Sequence, residues 1–131
     1  MKHLASLRDA EAAQIADIDD KLVRQRAQHV LSENDRVDAA AQALASADVV
    51  TLGALITASH QSLATDYEVS SAPLDMLVKT TLSAGALGSR LTGAGFGGCI
   101  VCLAAADLAD DIVAAAQEAV PGSWLLDSIA C

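Results

Sequence analysis

The sequence predicts an α+β domain in which helices pack on one face of a small, mainly antiparallel sheet. Apolar residues recur at helical spacing over residues 19–85, and the pattern then changes to that of short strands. Helical segments followed by late strands, rather than regular alternation, are typical of this class. The 131 residues fit one domain, and no repeat or low-complexity tract divides them, so we expect a single domain over residues 1–131.

The first long helix is predicted over residues 19–47, which contain neither glycine nor proline. Alternating steps of four and three residues place one set of positions on a single helical face, namely Val23, Ala27, Val30, Asn34, Val37, Ala41 and Leu44. We expect this face to be buried. Asn34 is its polar member, and we expect a neighbouring backbone group to satisfy its amide, as is usual for buried polar groups.

The second predicted helix begins after Asp48, a residue type that caps helix N-termini, and ends near residue 66. Its expected inner face consists of Leu52, Leu55, Ile56, Ser59 and Leu63. His60 lies beside this face. No second histidine or cysteine lies at metal-ligand spacing, so we expect His60 to pack or to hydrogen-bond locally.

An exposed connector is predicted over residues 66–71, and Pro73 suits the first turn of a third helix that Gly85 closes. The inner face of that helix is expected to be Leu74, Leu77, Val78, Thr81 and Leu82. Residues 86–92 and 99–103 are predicted as two strands. A fourth helix over residues 107–120 and a closing strand over residues 124–131 complete the prediction, the helix with Leu108, Ile112, Ala115, Ala116 and Ala119 facing inward.

Composition and charge exclude several functions. The chain has 28 alanines and three aromatic residues, too few for a surface on which nucleic-acid bases stack. Its net charge is −9, and from Val37 onward ten acidic residues accompany only Lys79 and Arg90, the opposite of a phosphate-backbone binder. The longest apolar run, residues 99–106, is too short to span a bilayer, and no signal-peptide stretch follows Met1. We expect a cytoplasmic protein without nucleic-acid or membrane partners.

The three cysteines, Cys99, Cys102 and Cys131, cannot all pair, which agrees with a reducing compartment. Cys99 and Cys102 have C-x-x-C spacing but lie in an apolar segment predicted as a strand. Residues three apart on a strand face opposite sides, so we expect neither a metal site nor a redox pair here. We expect Cys99 and Cys102 to act as small, buried hydrophobic residues.

The loop between the two predicted strands carries Gly93, Gly95, Gly97 and Gly98, which indicates backbone at positive φ or close approach by another group. Three of these glycines match G-x-G-x-x-G. A dinucleotide-binding fold requires a helix after them, however, and this sequence continues as a strand. A protein-kinase glycine loop requires a lysine on a following strand, and no lysine occurs after Lys79. A tight turn that only packs remains the alternative.

Four ordered segments carry a resemblance. Residues 90–99 read R-L-T-G-A-G-F-G-G-C, residues 27–37 contain S-E-N-D-R, residues 59–63 read S-H-Q-S-L, and residues 66–70 read D-Y-E-V-S. Together they resemble the galactokinase family of GHMP small-molecule kinases, whose third motif is the glycine loop. The resemblance extends from about Leu7 through the last predicted strand.

This resemblance implies a ferredoxin-like C-terminal domain of a kinase that transfers the γ-phosphate of MgATP to the anomeric hydroxyl of galactose. ATP and Mg²⁺ are then the cofactors. The loop is expected to line the ATP and sugar site through Thr92, Gly93, Ala94, Gly95, Phe96, Gly97 and Gly98, with a contact from Arg90. Asn34, His60, Asp66 and Tyr67 are expected to hold the helices that position it.

The family's N-terminal lobe supplies the catalytic aspartate, the sugar contacts and a phosphate loop, and none of these occurs in this sequence. We therefore expect no catalytic residue or metal ligand here, an N-terminal kinase lobe as partner, and exposed apolar surface where that lobe docks. The isolated chain is expected to be inactive, since phosphoryl transfer needs cations that this acidic domain lacks.

Three departures from the family pattern are visible. Ala64 and Thr65 replace the usual Arg-Asp pair, Ala94 replaces the middle glycine of a triplet, and a proline is displaced to Pro73. Two alternatives to a galactokinase domain stay open. One is a non-catalytic sugar-sensing or interaction module derived from such a kinase, and the other is the C-terminal domain of another GHMP sugar kinase, acting on galacturonate or N-acetylgalactosamine.

Overall fold

The computed structural model describes residues 6–129. Its helices are a short 3₁₀ turn at Leu7–Asp9, α1 at Ala12–Ala16, α2 at Lys21–Ala45, α3 at Val49–Thr65, α4 at Ala72–Ser83, a second 3₁₀ turn at Ala106–Leu108, and α5 at Ala109–Ala119. The strands are β1 at Gly88–Thr92 and β2 at Cys99–Leu103. The predicted helices and the first two strands are confirmed within a few residues.

Capping groups set the ends of the main helices. The Asp20 carboxylate accepts a hydrogen bond from the Val23 N–H at the start of α2, and Asp48 accepts from the Thr51 N–H at the start of α3, as predicted. Pro73 lies in the first turn of α4. Beyond the other end of α4, Gly85 has φ +105°, which identifies it as the left-handed residue that terminates the helix.

The sheet in the described part of the chain has two antiparallel strands, with Gly88 opposite Leu103 and Thr92 opposite Cys99. Helices α3 and α4 pack against β1, α2 packs on α3, and α5 packs on α4. The predicted α+β class with a small antiparallel sheet is confirmed. One small core lies between these layers and contains Leu63, Leu74 and Leu91, with Val69 and Ile100 against it.

One face of α3 lies along the edge of β1. Gly53, Thr57 and His60 are spaced four and three residues apart, so they share one helical face. The Ser89 N–H donates to Thr57 Oγ1 at 3.4 Å, and the Leu91 N–H donates to His60 Nδ1 at 3.3 Å. Side chains of α3 thus satisfy strand amides that a third strand would otherwise bind.

The predicted inner face of α2 is largely wrong. Val23, Val37 and Leu44 are 53%, 60% and 64% exposed, whereas Ala27 is buried and Asn34 is half-buried. The helix packs on α3 along a neighbouring face, which contains the buried His29 and Ala43. Periodicity correctly shows that the valines share a face, but the described residues cover only part of it, since Ala27 is buried and Val30 is half-buried.

The closing strand predicted over residues 124–131 is also not observed. Residues 124–129 form no strand, and their apolar side chains are exposed, namely Trp124, Leu125, Leu126 and Ile129. Cys131 lies outside the described residues. An apolar run supplies strand propensity, but a strand also needs a paired edge, and no described strand lies beside this segment.

Candidate functional site

The glycine loop joins β1 to β2 and has the backbone that its composition predicts. Gly93 and Gly95 both have φ +83° and Gly98 has φ +95°. Phe96 has φ +60°, an uncommon value for a residue with a side chain, and that side chain is 74% exposed. The loop is therefore a left-handed backbone excursion that glycine makes possible.

The two sides of this loop differ. On one side Gly95 lies against Val69, so that a Cβ atom at position 95 would be 2.2 Å from the Val69 carbonyl oxygen. The same carbonyl accepts a hydrogen bond from the Phe96 N–H at 2.6 Å. On the other side, Cβ atoms at Gly93, Gly97 and Gly98 would meet nothing within 4 Å. One face of the loop is anchored and the other presents open backbone.

The anchor is the connector between α3 and α4. The Tyr67 N–H donates to the Ser62 carbonyl, and the Val69 N–H donates to the Leu63 carbonyl, both at 3.0 Å. The Arg26 guanidinium of α2 donates to the Asp66 carbonyl and pairs with the Glu68 carboxylate. The connector is thereby tied to α2 and α3, and through Val69 it holds the glycine loop.

A buried hydrogen-bond chain supports this connector. His29 Nδ1 lies 2.9 Å from Ser62 Oγ, and Ser62 Oγ donates to Asp66 Oδ2 at 2.8 Å. Because the single Ser62 hydroxyl proton points to Asp66, His29 must donate from Nδ1, which assigns its tautomer. The His29 and Tyr67 rings lie 4.7 Å apart. Asp66 and Tyr67 hold the helices as expected from the sequence.

His29 and Ser62 lie in two of the segments that carry the family resemblance, but their contact with each other is not predicted from the sequence. They lie 33 residues apart on two helices, and no periodic pattern links them. Only the pairing of α2 with α3 brings the imidazole to the hydroxyl. A histidine beside the buried Ala27 is the one available signal, and it does not indicate a partner.

Arg90 points toward α2 rather than along the loop. Its guanidinium donates to Ser59 Oγ at 2.7 Å and to Glu33 Oε1 at 3.1 Å, and its Nε donates to the Leu91 carbonyl at 3.0 Å. Arg36 binds the other Glu33 oxygen at 2.7 Å. These groups line a small pocket between α2 and α3. Arg90 and Arg36 are therefore both paired with Glu33.

Glu33 remains a carboxylate within this cluster. Partial burial acts to raise its pKa, but the Ser59 hydroxyl and the Arg36 and Arg90 guanidinium groups outweigh it and hold the pKa below the usual value. The pocket thus contains two cations and one anion. The pocket therefore carries a local excess of positive charge within an acidic chain.

We expect the free energy of unfolding to fall as the pH drops below the ordinary histidine value of 6.5. Burial lowers the pKa of both His29 and His60, so below 6.5 the unfolded chain binds protons that the native chain excludes, and stability falls by up to about 1.4 kcal/mol per pH unit for each histidine. Glu33 adds loss only at lower pH, below its usual 4.5. Urea unfolding at a series of pH values measures the slope.

Replacing His29 by asparagine is the control for this pH dependence. The variant is expected to lose stability at neutral pH. Between pH 6.5 and 4.5, the slope of its free energy of unfolding against pH must decrease by the contribution of one histidine. An unchanged slope in this variant would contradict the assignment of the pH dependence to a buried neutral imidazole.

A sequence model of the family described as GHMP kinases C terminal matches residues 40–122, and the match includes the glycine loop. This range is more than half of the chain. The chain belongs to the GHMP kinase family. The resemblance of the sequence to this family is thereby confirmed.

Galactokinases are similar to this GHMP kinase domain. The Mycobacterium tuberculosis galactokinase is 40% identical over 116 residues, which cover 88% of this chain and 32% of that protein. The Chloroflexus aurantiacus galactokinase is 57% identical over 90 residues, which cover 68% of this chain and 23% of that protein. The chain thus spans about a third or less of these curated relatives.

Solved structures agree with the fold of a GHMP kinase C-terminal domain. The crystal structure of Lactococcus lactis galactokinase complexed with galactose superposes with a TM-score of 0.84 at 36% identity, covering 90% of this chain and 32% of that chain. Mevalonate kinase of L. major in complex with R-mevalonate gives a TM-score of 0.59 at 27% identity, covering 86% and 36%. Both matches cover about a third of the solved chain.

Other expected features of this GHMP kinase domain can be placed. Among the described residues no group of histidine, cysteine and carboxylate side chains could hold a metal ion, and no helix is long and apolar enough to cross a membrane. Cys99 and Cys102 are free and half-buried rather than fully buried. Burial raises the pKa of the Cys102 thiol, so it is a poor nucleophile at neutral pH.

Proposed function

We propose that this chain is the C-terminal domain of a galactokinase, an enzyme that as a whole transfers the γ-phosphoryl group of MgATP to the anomeric hydroxyl of galactose. The supporting observation is the two-sided glycine loop. Gly95 fixes the loop on the connector, and three other glycines leave backbone open to a ligand. Four galactokinase-like segments in order and the similar galactokinases agree with this reading.

The loop contributes backbone geometry to the proposed reaction. Phosphoryl transfer depends on positioning and on stabilising charge, and a phosphate can approach closest where no side chain intervenes. The proposed contacts are therefore the backbone of Gly93, Gly97 and Gly98, with Thr92, Ala94 and Phe96 beside them. Arg90 contributes indirectly, because its guanidinium already binds Glu33 and Ser59.

The described residues do not supply the metal site of the proposed reaction. They contain no cluster able to hold Mg²⁺. From Val37 onward the sequence has two basic residues and ten acidic residues. The two arginines of the pocket, Arg36 and Arg90, are already paired with Glu33, so the charge that neutralises a triphosphate is proposed to come from elsewhere. We therefore assign the Mg²⁺ ligands, the catalytic base and the sugar contacts to the N-terminal lobe of the kinase, and only the loop's backbone to this domain.

The N-terminal lobe is also the proposed partner of the exposed face of α2. Val23, Val37 and Leu44 lie fourteen and seven residues apart on that face, and each is more than half exposed. Val49 and Val50 at the start of α3 add exposed apolar surface. A row of aliphatic side chains this long is unusual on a free surface and is typical of an interface between domains.

A chimera tests the proposed function. This chain replaces the matching C-terminal third of the Mycobacterium tuberculosis galactokinase, and galactose 1-phosphate formation from ATP is measured beside the parent enzyme and the isolated chain. We expect the chimera to turn over within about tenfold of the parent, because a retained loop geometry costs at most about 1.4 kcal/mol of transition-state stabilisation. We expect no turnover by the isolated chain.

The outcomes separate the alternatives. A chimera that folds but phosphorylates no sugar contradicts the kinase assignment and favours the sensing module. A chimera that prefers galacturonate or N-acetylgalactosamine over galactose contradicts the assignment of the sugar contacts to the N-terminal lobe, because the parent enzyme supplies that lobe. Turnover by the isolated chain would overturn the assignment of the catalytic groups to the N-terminal lobe.

A further inference from the structure

His60 lies at the point where β1 enters the glycine loop. The residue is 5% exposed, and its Nδ1 accepts a hydrogen bond from the Leu91 N–H at 3.3 Å, two residues before Gly93. Nδ1 therefore carries no proton, and the neutral ring has its proton on Nε2. Nε2 lies 3.2 Å from Asp75 Oδ1, a carboxylate near the start of α4. One imidazole thus joins α3, β1 and α4.

The carboxylate of Asp75 extends this contact to the connector. Asp75 Oδ1 also accepts a hydrogen bond from Ser70 Oγ at 2.5 Å. Ser70 follows Val69, whose carbonyl holds Phe96 in the middle of the glycine loop. The entry of the loop at Leu91 and its midpoint at Phe96 are therefore joined through His60, Asp75 and Ser70 by polar contacts, with the Val69–Ser70 peptide bond as the one covalent step.

We propose that His60 is a positioning residue for the glycine loop, acting through its unprotonated Nδ1 on the Leu91 amide. Its consequence for nucleotide binding rests on the proposed function, but the positioning itself does not. Removal of the Nδ1 acceptor leaves the Leu91 N–H without its partner at a site that excludes water, since Leu91 is 1% exposed. The start of the loop then loses its attachment to α3.

This positioning is sensitive to protonation. A proton on Nδ1 would face the Leu91 N–H, which replaces an attractive contact by a repulsive one. The charged groups that act on His60 are Asp75 on α4, which favours the protonated ring, and Arg90 on β1, which opposes it. Burial is the largest influence and lowers the pKa of His60, so the attachment is intact at neutral pH and is lost in acid.

Two substitutions of similar size separate the two ring nitrogens. The side-chain oxygen in His60→Asn overlies the Nδ1 position and can still accept from Leu91, whereas the side-chain nitrogen in His60→Gln overlies the Nε2 position and can still donate to Asp75. In the 131-residue chain at pH 7.5, NMR measures exchange of the Leu91 amide relative to that of Val78 in α4. This ratio removes any change in global stability.

We expect exchange of the Leu91 amide to be about five- to tenfold faster in His60→Gln, as for the loss of one hydrogen bond, with shifted signals from Gly93 to Gly98. In His60→Asn the exchange rate of the Leu91 amide and the signals from Gly93 to Gly98 are both expected to stay near those of the unaltered chain. Thr57→Val is the matched control, because it removes the neighbouring acceptor and is expected to affect Ser89 but not the loop. Equal effects of the two His60 variants would overturn the proposal, as would ¹⁵N spectra that place the ring proton on Nδ1.

In the chimeric kinase, His60→Gln is expected to raise the KM for ATP about tenfold, because misplacing a positioning element by about 1 Å can cost up to about 100-fold in rate. His60→Asn is expected to leave this KM within about twofold. A loss shared equally by both variants would overturn the proposal. If the NMR results hold while the chimera phosphorylates no sugar, the proposed function fails and the positioning role stands.

Discussion

Replacing Gly53 by alanine is expected to lower the free energy of unfolding by about 1–3 kcal/mol, the usual cost of forcing extra atoms into a packed site. A Cβ at position 53 would lie 2.3 Å from the Leu87 carbonyl oxygen and 2.9 Å from the Leu87 Cβ. Backbone atoms of Leu87, the residue before β1, occupy that space and cannot rotate away. Glycine-to-alanine changes in a free helix normally stabilise by up to about 1 kcal/mol, so the sign itself is diagnostic.

Gly88→Ala should give a loss of the same kind, because a Cβ there would lie 2.3 Å from the Gly53 carbonyl oxygen. The two glycines form one close contact between α3 and β1. The matched control is Gln61→Ala, which places alanine on an exposed position of the same helix and is expected to change stability by less than about 0.5 kcal/mol. Urea unfolding measures all three, and a stabilised Gly53→Ala protein would refute the close contact.

The position of Gly53 also shows what could be predicted from the sequence. A lone glycine inside the apolar pattern of α3 is visible without a structure, and its propensity cost indicates a packing reason. Which residue requires it is not visible, since Leu87 and Gly88 lie far along the chain. Gly53, Thr57 and His60 make their contacts with residues 87–91 because of the angle at which α3 crosses β1. No local sequence pattern determines that angle.

The exposed face of α2 carries a related lesson. Val23, Val37 and Leu44 were correctly placed on one face because helical periodicity determines which side chains are neighbours. Whether a face is covered depends on what else is present, and on this one Ala27 is buried while Val23, Val37 and Leu44 are exposed. The same holds for residues 124–129, whose apolar character indicates a strand but cannot supply the paired edge that a strand requires.

The glycine loop was predicted in kind but not in detail. Four glycines among six residues indicate positive φ, and Gly93, Gly95 and Gly98 have it. The sequence does not distinguish the anchored Gly95 from the open Gly93. That distinction comes from Val69, which the His29 and Ser62 contacts hold in place through the connector.

Alanine at Gly95 is expected to be far more destabilising than alanine at Gly93, although both residues have φ +83°. The shared left-handed backbone costs each variant about 1–2 kcal/mol. At position 95 the new Cβ would also lie 2.2 Å from the Val69 oxygen and 2.8 Å from the Val69 Cβ, whereas at position 93 it would meet nothing within 4 Å. We therefore expect a further loss of about 1–3 kcal/mol for Gly95→Ala alone.

Because φ is the same at both positions, the difference between the two variants reports chiefly on the anchor on Val69. Urea unfolding of the 131-residue chain gives that difference, and equal losses would show that the anchor is absent.

In the chimeric kinase we expect the opposite order for the KM of ATP. Gly93→Ala should change this KM more than Gly95→Ala does, although Gly95→Ala loses more stability. Gly93→Ala places a methyl group on the open face where a phosphate is proposed to approach, so it should impair nucleotide binding beyond its small loss of stability. A Gly93→Ala chimera with unchanged KM would mean that the open face of the loop is not the face that meets the nucleotide.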